Sequence, residues 1–239
     1  MAYGPMSFER INPVALISGA GGGEAIACLR ALAPRADGGL ILADASEAGL
    51  DASADALQRP PERVSTLAFD PRAQGEWKRA IAFIAAHYGR LDWLAINTRA
   101  PLPHSGKLAV ADLDAALLAF RAGLRLLREN VQGGAAVFVV DARTAMKANL
   151  QQVLRVAAKE GATARTRVNA IVCGGDAPAW RGAPAMPHVN RAALERLAKS
   201  NAPIARCIGY DVEWLLPYAL SDETPLTGAI LVVDETRAL

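Results

Sequence analysis

The stretch VALISGAGGGEAIACLRAL, residues 14–32, decides how this chain folds. VALIS is a short apolar run, SGAGGGEA (18–25) is rich in glycine, and EAIACLRAL (24–32) has helical character. A strand that turns through glycines into a helix is the context a phosphate-cradling loop requires. Glycines let the backbone approach a pyrophosphate, and a helix N-terminus offers N–H donors at the positive end of its dipole. Outward from this stretch, apolar runs and helical patterns alternate. GLILADAS (39–46), VSTLAFD (64–70), LDWLAINT (91–98), AAVFVVDA (135–142), RVNAIVC (167–173) and GAILVVD (228–234) read as strands. GEWKRAIAFIAAHYG (75–89), LDAALLAFRAGLRLLREN (113–130), TAMKANLQQVLRVAAKE (144–160), AALERLAK (192–199) and IGYDVEWLLPYAL (208–220) read as helices.

Strands that are apolar throughout, rather than alternating, belong to a parallel sheet covered on both faces. The expected fold is therefore α/β: a Rossmann-like, doubly wound parallel sheet of seven strands, one domain over residues 1–239. Gly174 to Pro187 is the longest irregular segment, just past a strand's carboxyl end, where ligands bind in such sheets. In the helix at 144–160, Met146, Leu150, Val153, Leu154 and Ala157 form one apolar stripe.

With 239 residues the chain is long enough to bury a core without disulfides. A formal net charge of +2 gives no nucleic-acid signal. Cys28, Cys173 and Cys207 form no CxxC pair, which suits reduced thiols. His87, His104 and His188 lack metal-ligand spacing, so no metal site is expected. No signal-peptide pattern and no apolar stretch of membrane-spanning length occurs, so the expectation is a cytoplasmic protein without membrane contact.

These segments resemble the short-chain dehydrogenase/reductase family over about residues 12–235. Ser18–Ala25 is similar to the family's TGxxxGxG loop, with Ser18 for Thr, Gly19 and Gly23 kept, and Ala25 for the last Gly. LDWLAINTRA (91–100) resembles LDxLVNNAG, with only Asn97 of two asparagines retained. SDETPLTGAILVVDE (221–235) resembles the SDxxxxxTGxxLxVDGG segment that builds a subunit interface in that family. The resemblance implies vestigial cofactor positions at Gly19, Gly23, Asp44, Asp70 and Asn97. Asp44, roughly 20 residues after the glycines, is where an acid would hold a ribose 2′-hydroxyl and favour NAD over NADP; Asp70 is where the family contacts adenine. Two residues oppose binding. A Glu24 carboxylate would repel a pyrophosphate, and Arg99 replaces a glycine where the backbone passes close to the cofactor.

The catalytic positions are where the resemblance fails. The family works with a Tyr as general acid/base, a Lys that lowers its pKa, a Ser that holds substrate and an Asn that holds a water relay. Lys147 lies 13 residues before Glu160, and Glu160 lies 7 before Arg167, matching the family's spacing, so Lys147 aligns with the catalytic Lys. The Tyr position is then Arg143, the Ser position falls near Asp141, and the Asn position is Phe120. An Arg stays protonated and cannot stand in for the Tyr. Catalytic residues are expected to be absent. The expectation is a silent subunit that binds no cofactor itself and forms a heterotetramer with an active paralogue carrying NAD. Helices 113–130 and 144–160 and the 208–234 segment would supply its interfaces. Arg121, Arg125 and Arg128 form a basic stripe on the first of these helices, read either as a solvated face or as a match for an acidic partner. Two alternatives stand beside this: a homo-oligomeric enzyme with new chemistry at Asp141, Arg143 and Lys147, and a nucleotide sensor without turnover.

Overall fold

Successive side chains along the apolar runs divide between two cores. Val14 and Leu16 pack in one buried cluster, Ala15 and Ile17 in the other, and Ile41 and Leu42 divide the same way. This is the signature of a sheet covered on both faces. The computed structural model describes residues 10–57, 60–98, 108–147, 149–174, 183, 185–186, 188–200, 204–208 and 210–234.

Along the chain, β1 (Val14–Ser18) leads to α1 (Ile26–Leu32), β2 (Gly39–Asp44) to α2 (Glu47–Ala56), and β3 (Val64–Ala68) to α3 (Gln74–Tyr88). β4 (Trp93–Asn97) is followed by α4 (Leu108–Glu129), and β5 (Gly134–Asp141) by α5 (Ala142–Lys147) and α6 (Leu150–Ala162). β6 (Thr166–Cys173), β7 (Ala185–Met186), α7 (Arg191–Ala198), β8 (Ile204–Ile208), α8 (Val212–Leu220) and β9 (Ile230–Asp234) complete the order. The sheet runs β3-β2-β1-β4-β5-β6-β9-β8-β7, with every pairing parallel. Leu29, Leu50, Leu194 and Leu215 cover one face, from α1, α2, α7 and α8. Trp77, Phe120 and Leu154 cover the other, from α3, α4 and α6.

Among the described residues the sheet has nine strands, not the expected seven. The two additions, β7 and β8, lie beyond β9 at one edge. A two-residue strand inside a Pro- and Gly-rich stretch carries no periodic signal. IARCI of β8 runs directly into residues that were read as helix, whereas α8 begins only after Asp211, whose carboxylate accepts the Trp214 N–H as an N-cap. Helix α2 is a further element the sequence reading did not contain.

The helix expected over 144–160 is two helices. Asn149 between them sits in the left-handed region, at φ 50° and ψ 56°, which Asn tolerates better than most residues. Leu150, Leu154 and Ala157 of the expected stripe are buried against the chain's own sheet, and Val153 is half-buried. The Met146 side chain lies outside the described residues.

At the amino ends of the strands a polar clasp ties distant segments together. The buried Arg10 guanidinium donates to Asp92 at 2.9 Å, to both oxygens of Asp222 at 2.7 Å, and to the carbonyl of Gly133. Asp92 also accepts from Val14 N–H and from Arg90. Beside it, burial pushes the Arg167 guanidinium down to about 10, against the pull of Asp222, so it stays charged at neutral pH. Arg167 donates to Ala219 and Leu220 carbonyls at the end of α8.

Candidate functional site

The strand order reverses between β1 and β4, and ligands in open α/β sheets bind outside the carboxyl ends of the strands at such a point. A cleft of about 430 Å³ opens there. Its wall comes from the ends of the first four strands: Ser18 and Gly19, Asp44, Asp70, and Asn97 with Thr98. Four of the five expected cofactor positions therefore converge. Gly23 is not among the lining residues, and nothing lies within 4 Å of a Cβ built on it.

Gly19 is required where it is. Its φ is +76°, and a Cβ would lie 2.1 Å from the carbonyl oxygen of Asn97. Asn97 in turn donates from Nδ2 to the Gly19 carbonyl at 3.0 Å, which joins the ends of β1 and β4. Asp44 organises the loop: one carboxylate oxygen accepts Gly21 N–H and the other accepts Ser46 N–H, each at 3.0 Å. A carboxylate has about four lone-pair sites, so Asp44 keeps acceptor capacity for a hydroxyl. Asp70 is exposed and accepts the Arg72 N–H.

The part played by α2 was missed from sequence. Ser53 donates to the carbonyl of Ala20 at 2.7 Å, and Gly49 passes so close that a Cβ would meet the Gly21 carbonyl at 2.1 Å. Ser46 caps this helix by accepting the Gly49 N–H. A Ser followed three residues later by a Gly was the available signal, though it marks only the helix start and not the packing of α2 on the loop.

The catalytic end differs. Phe120, at the Asn position, is 0% exposed and packs against Phe138 of β5 with ring centroids 5.9 Å apart. Asp141, near the Ser position, accepts both the N–H and the hydroxyl of Thr144, which makes it the N-terminal cap of α5. Arg143 and Lys147 fall on α5, but their side chains lie outside the described residues, as do the Glu24 side chain and all of Arg99. His87 stacks on Phe83, and no group of metal-ligating side chains occurs among the described residues. Burial pushes the Cys207 thiol up to about 12, so it is inert as a nucleophile. No described helix is long and apolar enough to cross a membrane.

A nicotinamide cofactor, implied by this fold, meets a divided site. The adenosine end has a cleft and acceptors. At the positions the resemblance assigns to the relay Asn and the Ser, the described residues are a sealed aromatic ring and a carboxylate that caps α5. Among the described residues, Phe120 and Asp141 supply neither the amide nor the hydroxyl that the resemblance assigns to those positions.

No family model matches the sequence, and no curated protein matches it. Solved structures do match in fold. A protein described as a short-chain dehydrogenase/reductase from Burkholderia xenovorans is 24% identical, with 95% of this chain and 97% of that one covered and a TM-score of 0.69. The glucose/ribitol dehydrogenase-type short-chain enzyme from Brucella melitensis is 20% identical over 97% of this chain and 98% of its own, with a TM-score of 0.67. A short-chain alcohol dehydrogenase-type protein from Sinorhizobium meliloti 1021 is 20% identical over 93% and 94%, with a TM-score of 0.65. The chain has the short-chain dehydrogenase/reductase fold along nearly its whole length.

Proposed function

We propose that this chain is a catalytically silent short-chain dehydrogenase/reductase-like subunit. It assembles in the cytoplasm with an active, NAD-dependent paralogue, as a heterotetramer that oxidises an alcohol of the hydroxyacyl-CoA type. The observation that carries the reading is Phe120. Its full burial against Phe138 puts core packing at the position from which a water relay would be held. The capping role of Asp141 adds to it, because a carboxylate held by Thr144 is neither a substrate-holding hydroxyl nor a free base. The reading follows the pattern of the dehydrogenase for 2-(hydroxy(phenyl)methyl)succinyl-CoA in anaerobic toluene breakdown, in which one of two family members is degenerate.

The experiment is co-expression with each short-chain dehydrogenase gene that neighbours this one, followed by native mass measurement and assay with NAD and 2-(hydroxy(phenyl)methyl)succinyl-CoA. A mixed oligomer whose activity depends on the paralogue's own Tyr supports the reading. A chain that ignores every paralogue removes it.

One observation favours a second reading, a nucleotide sensor. The cleft bounded by Ser18, Asp44, Asp70 and Asn97 has the volume of a small-molecule site. Calorimetric titration with NAD separates the two, since the silent-subunit reading expects no heat of binding. New chemistry at Asp141, Arg143 and Lys147 is disfavoured by the engagement of Asp141.

A further inference from the structure

Helices α3 and α4 lie side by side, and a groove of about 150 Å³ opens between them. Its floor is apolar, with Trp77 and Ile81 from α3 and Leu118 and Ala122 from α4. The Trp77 ring is held in place: Nε1 donates to the Pro71 carbonyl at 2.8 Å, and Phe69 packs edge-on with centroids 4.8 Å apart. Apart from the Gln74 amide, the polar lining is cationic from both helices, with Lys78 on α3 and Arg121 and Arg125 on α4. No acid is among the lining residues. Asp114 and Glu129, the exposed acids on the same stripe of α4, stand one turn before Leu118 and one turn after Arg125. On α3, Glu76 is engaged by Arg79. Arg121 is taken up by both oxygens of Glu160 on α6. Lys78 and Arg125 are therefore the two groove cations without a carboxylate partner among the described residues.

We infer that the α3/α4 groove is a binding site for a small carboxylate with an apolar body, of the aryl or branched-alkyl type. Cations on opposite walls of one apolar groove repel each other, and an anion held between them relieves that repulsion. The ligand's carboxylate is taken by Arg125, whose planar fork matches two oxygens, with Lys78 as a point charge from the other wall. Its apolar body lies along Trp77, Ile81 and Leu118, the arrangement of a mostly apolar site with a few polar groups that fix orientation. The groove is smaller than the roughly 300–1,000 Å³ of drug-sized sites, so it suits a single ring or a branched chain. It shares no lining residue with the cleft at the carboxyl ends of the strands. The inference is independent of the silent-subunit reading.

The probe is benzoate, titrated into the whole chain and followed by saturation-transfer NMR. Benzamide, the same ring without the charge, and inorganic phosphate, an anion without the ring, are the controls. Benzoate should bind with a dissociation constant of about 1 mM, and each control at least about tenfold more weakly. The double variant K78A/R125A changes two exposed side chains, and its fold is checked by circular dichroism. It should bind benzoate at least about tenfold more weakly, the loss expected when charge-assisted hydrogen bonds are removed. A122L, which fills the groove and keeps its charges, should abolish binding. Equal binding of benzamide or of phosphate would overturn the inference, as would benzoate binding unchanged in K78A/R125A. Absence of any benzoate signal from the wild-type chain at about 10 mM would also overturn it.

Discussion

Phe120 and Phe138 meet with ring centroids 5.9 Å apart and planes at 48°, and neither ring is exposed at all. The contact joins α4 to β5, at the position where the family resemblance would put an amide. Replacing Phe120 with Asn should therefore destabilise the chain and create no activity. Removing a large buried side chain costs about 3–5 kcal/mol, and the new amide enters a site without partners. Chemical denaturation with a parallel assay checks both halves. A stable F120N protein that oxidises alcohols would show that the position retains its catalytic surroundings.

The clasp around Arg10 is the second point at which one residue governs stability. Arg10→Met strips a buried partner from Asp92, which is 0% exposed, and from Asp222. Uncompensated buried charge costs about 3–5 kcal/mol, and the surviving contact from Arg90 argues for the lower figure. The denaturation midpoint of R10M against wild type is the measurement; a change under about 1 kcal/mol would mean that the clasp is replaceable by solvent.

A pH signature belongs to the α4/α6 face. The Glu160 pKa is depressed in the folded protein by its hydrogen bonds from Arg121. A depressed carboxylate contributes stability that is present above its unfolded pKa and is lost as pH falls through its folded pKa. With Arg121 54% exposed at its side chain, the effect should stay below about 1 kcal/mol. The stability difference between wild type and R121Q, followed from neutral pH downward, should be largest at neutral pH and vanish in acid. A difference that grows in acid would contradict the assignment.

Much of this was legible in the sequence, for local reasons. Gly19 and the apolar run before it announce a tight turn after a strand, and the equal burial of both faces follows from runs that never alternate. The resemblance set Phe120 and Asp141 at family positions through the spacing of Lys147, Glu160 and Arg167, but the ring contact and the cap they make could not be read there. What escaped depends on long-range or very short features. Asn149 breaks a helix that its flanking stripe makes continuous on paper. The Asp141–Thr144 cap was available as an Asp three residues before a Thr, but the expected unbroken helix hid it. Nothing near Arg10 points to Asp92 or Asp222, because that clasp exists only once the sheet has assembled.

The cleft makes a prediction about nucleotides. Titration with NAD or NADP to about 1 mM, a level that detects only about 4 kcal/mol of binding, should give no signal. Glu24 and Arg99 motivate this at the level of sequence. Should NAD bind, the Asp44 carboxylate facing the cleft requires preference over NADP, whose 2′-phosphate it would repel.

The most direct test of a silent subunit is turnover by the purified chain without any partner. NAD-dependent oxidation of 2-(hydroxy(phenyl)methyl)succinyl-CoA and of simple secondary alcohols should show no rate above the no-enzyme control, and rate should appear only when the active paralogue is added. Turnover by the isolated chain that disappears in Asp141→Asn would contradict the account and place a working catalyst at the end of β5.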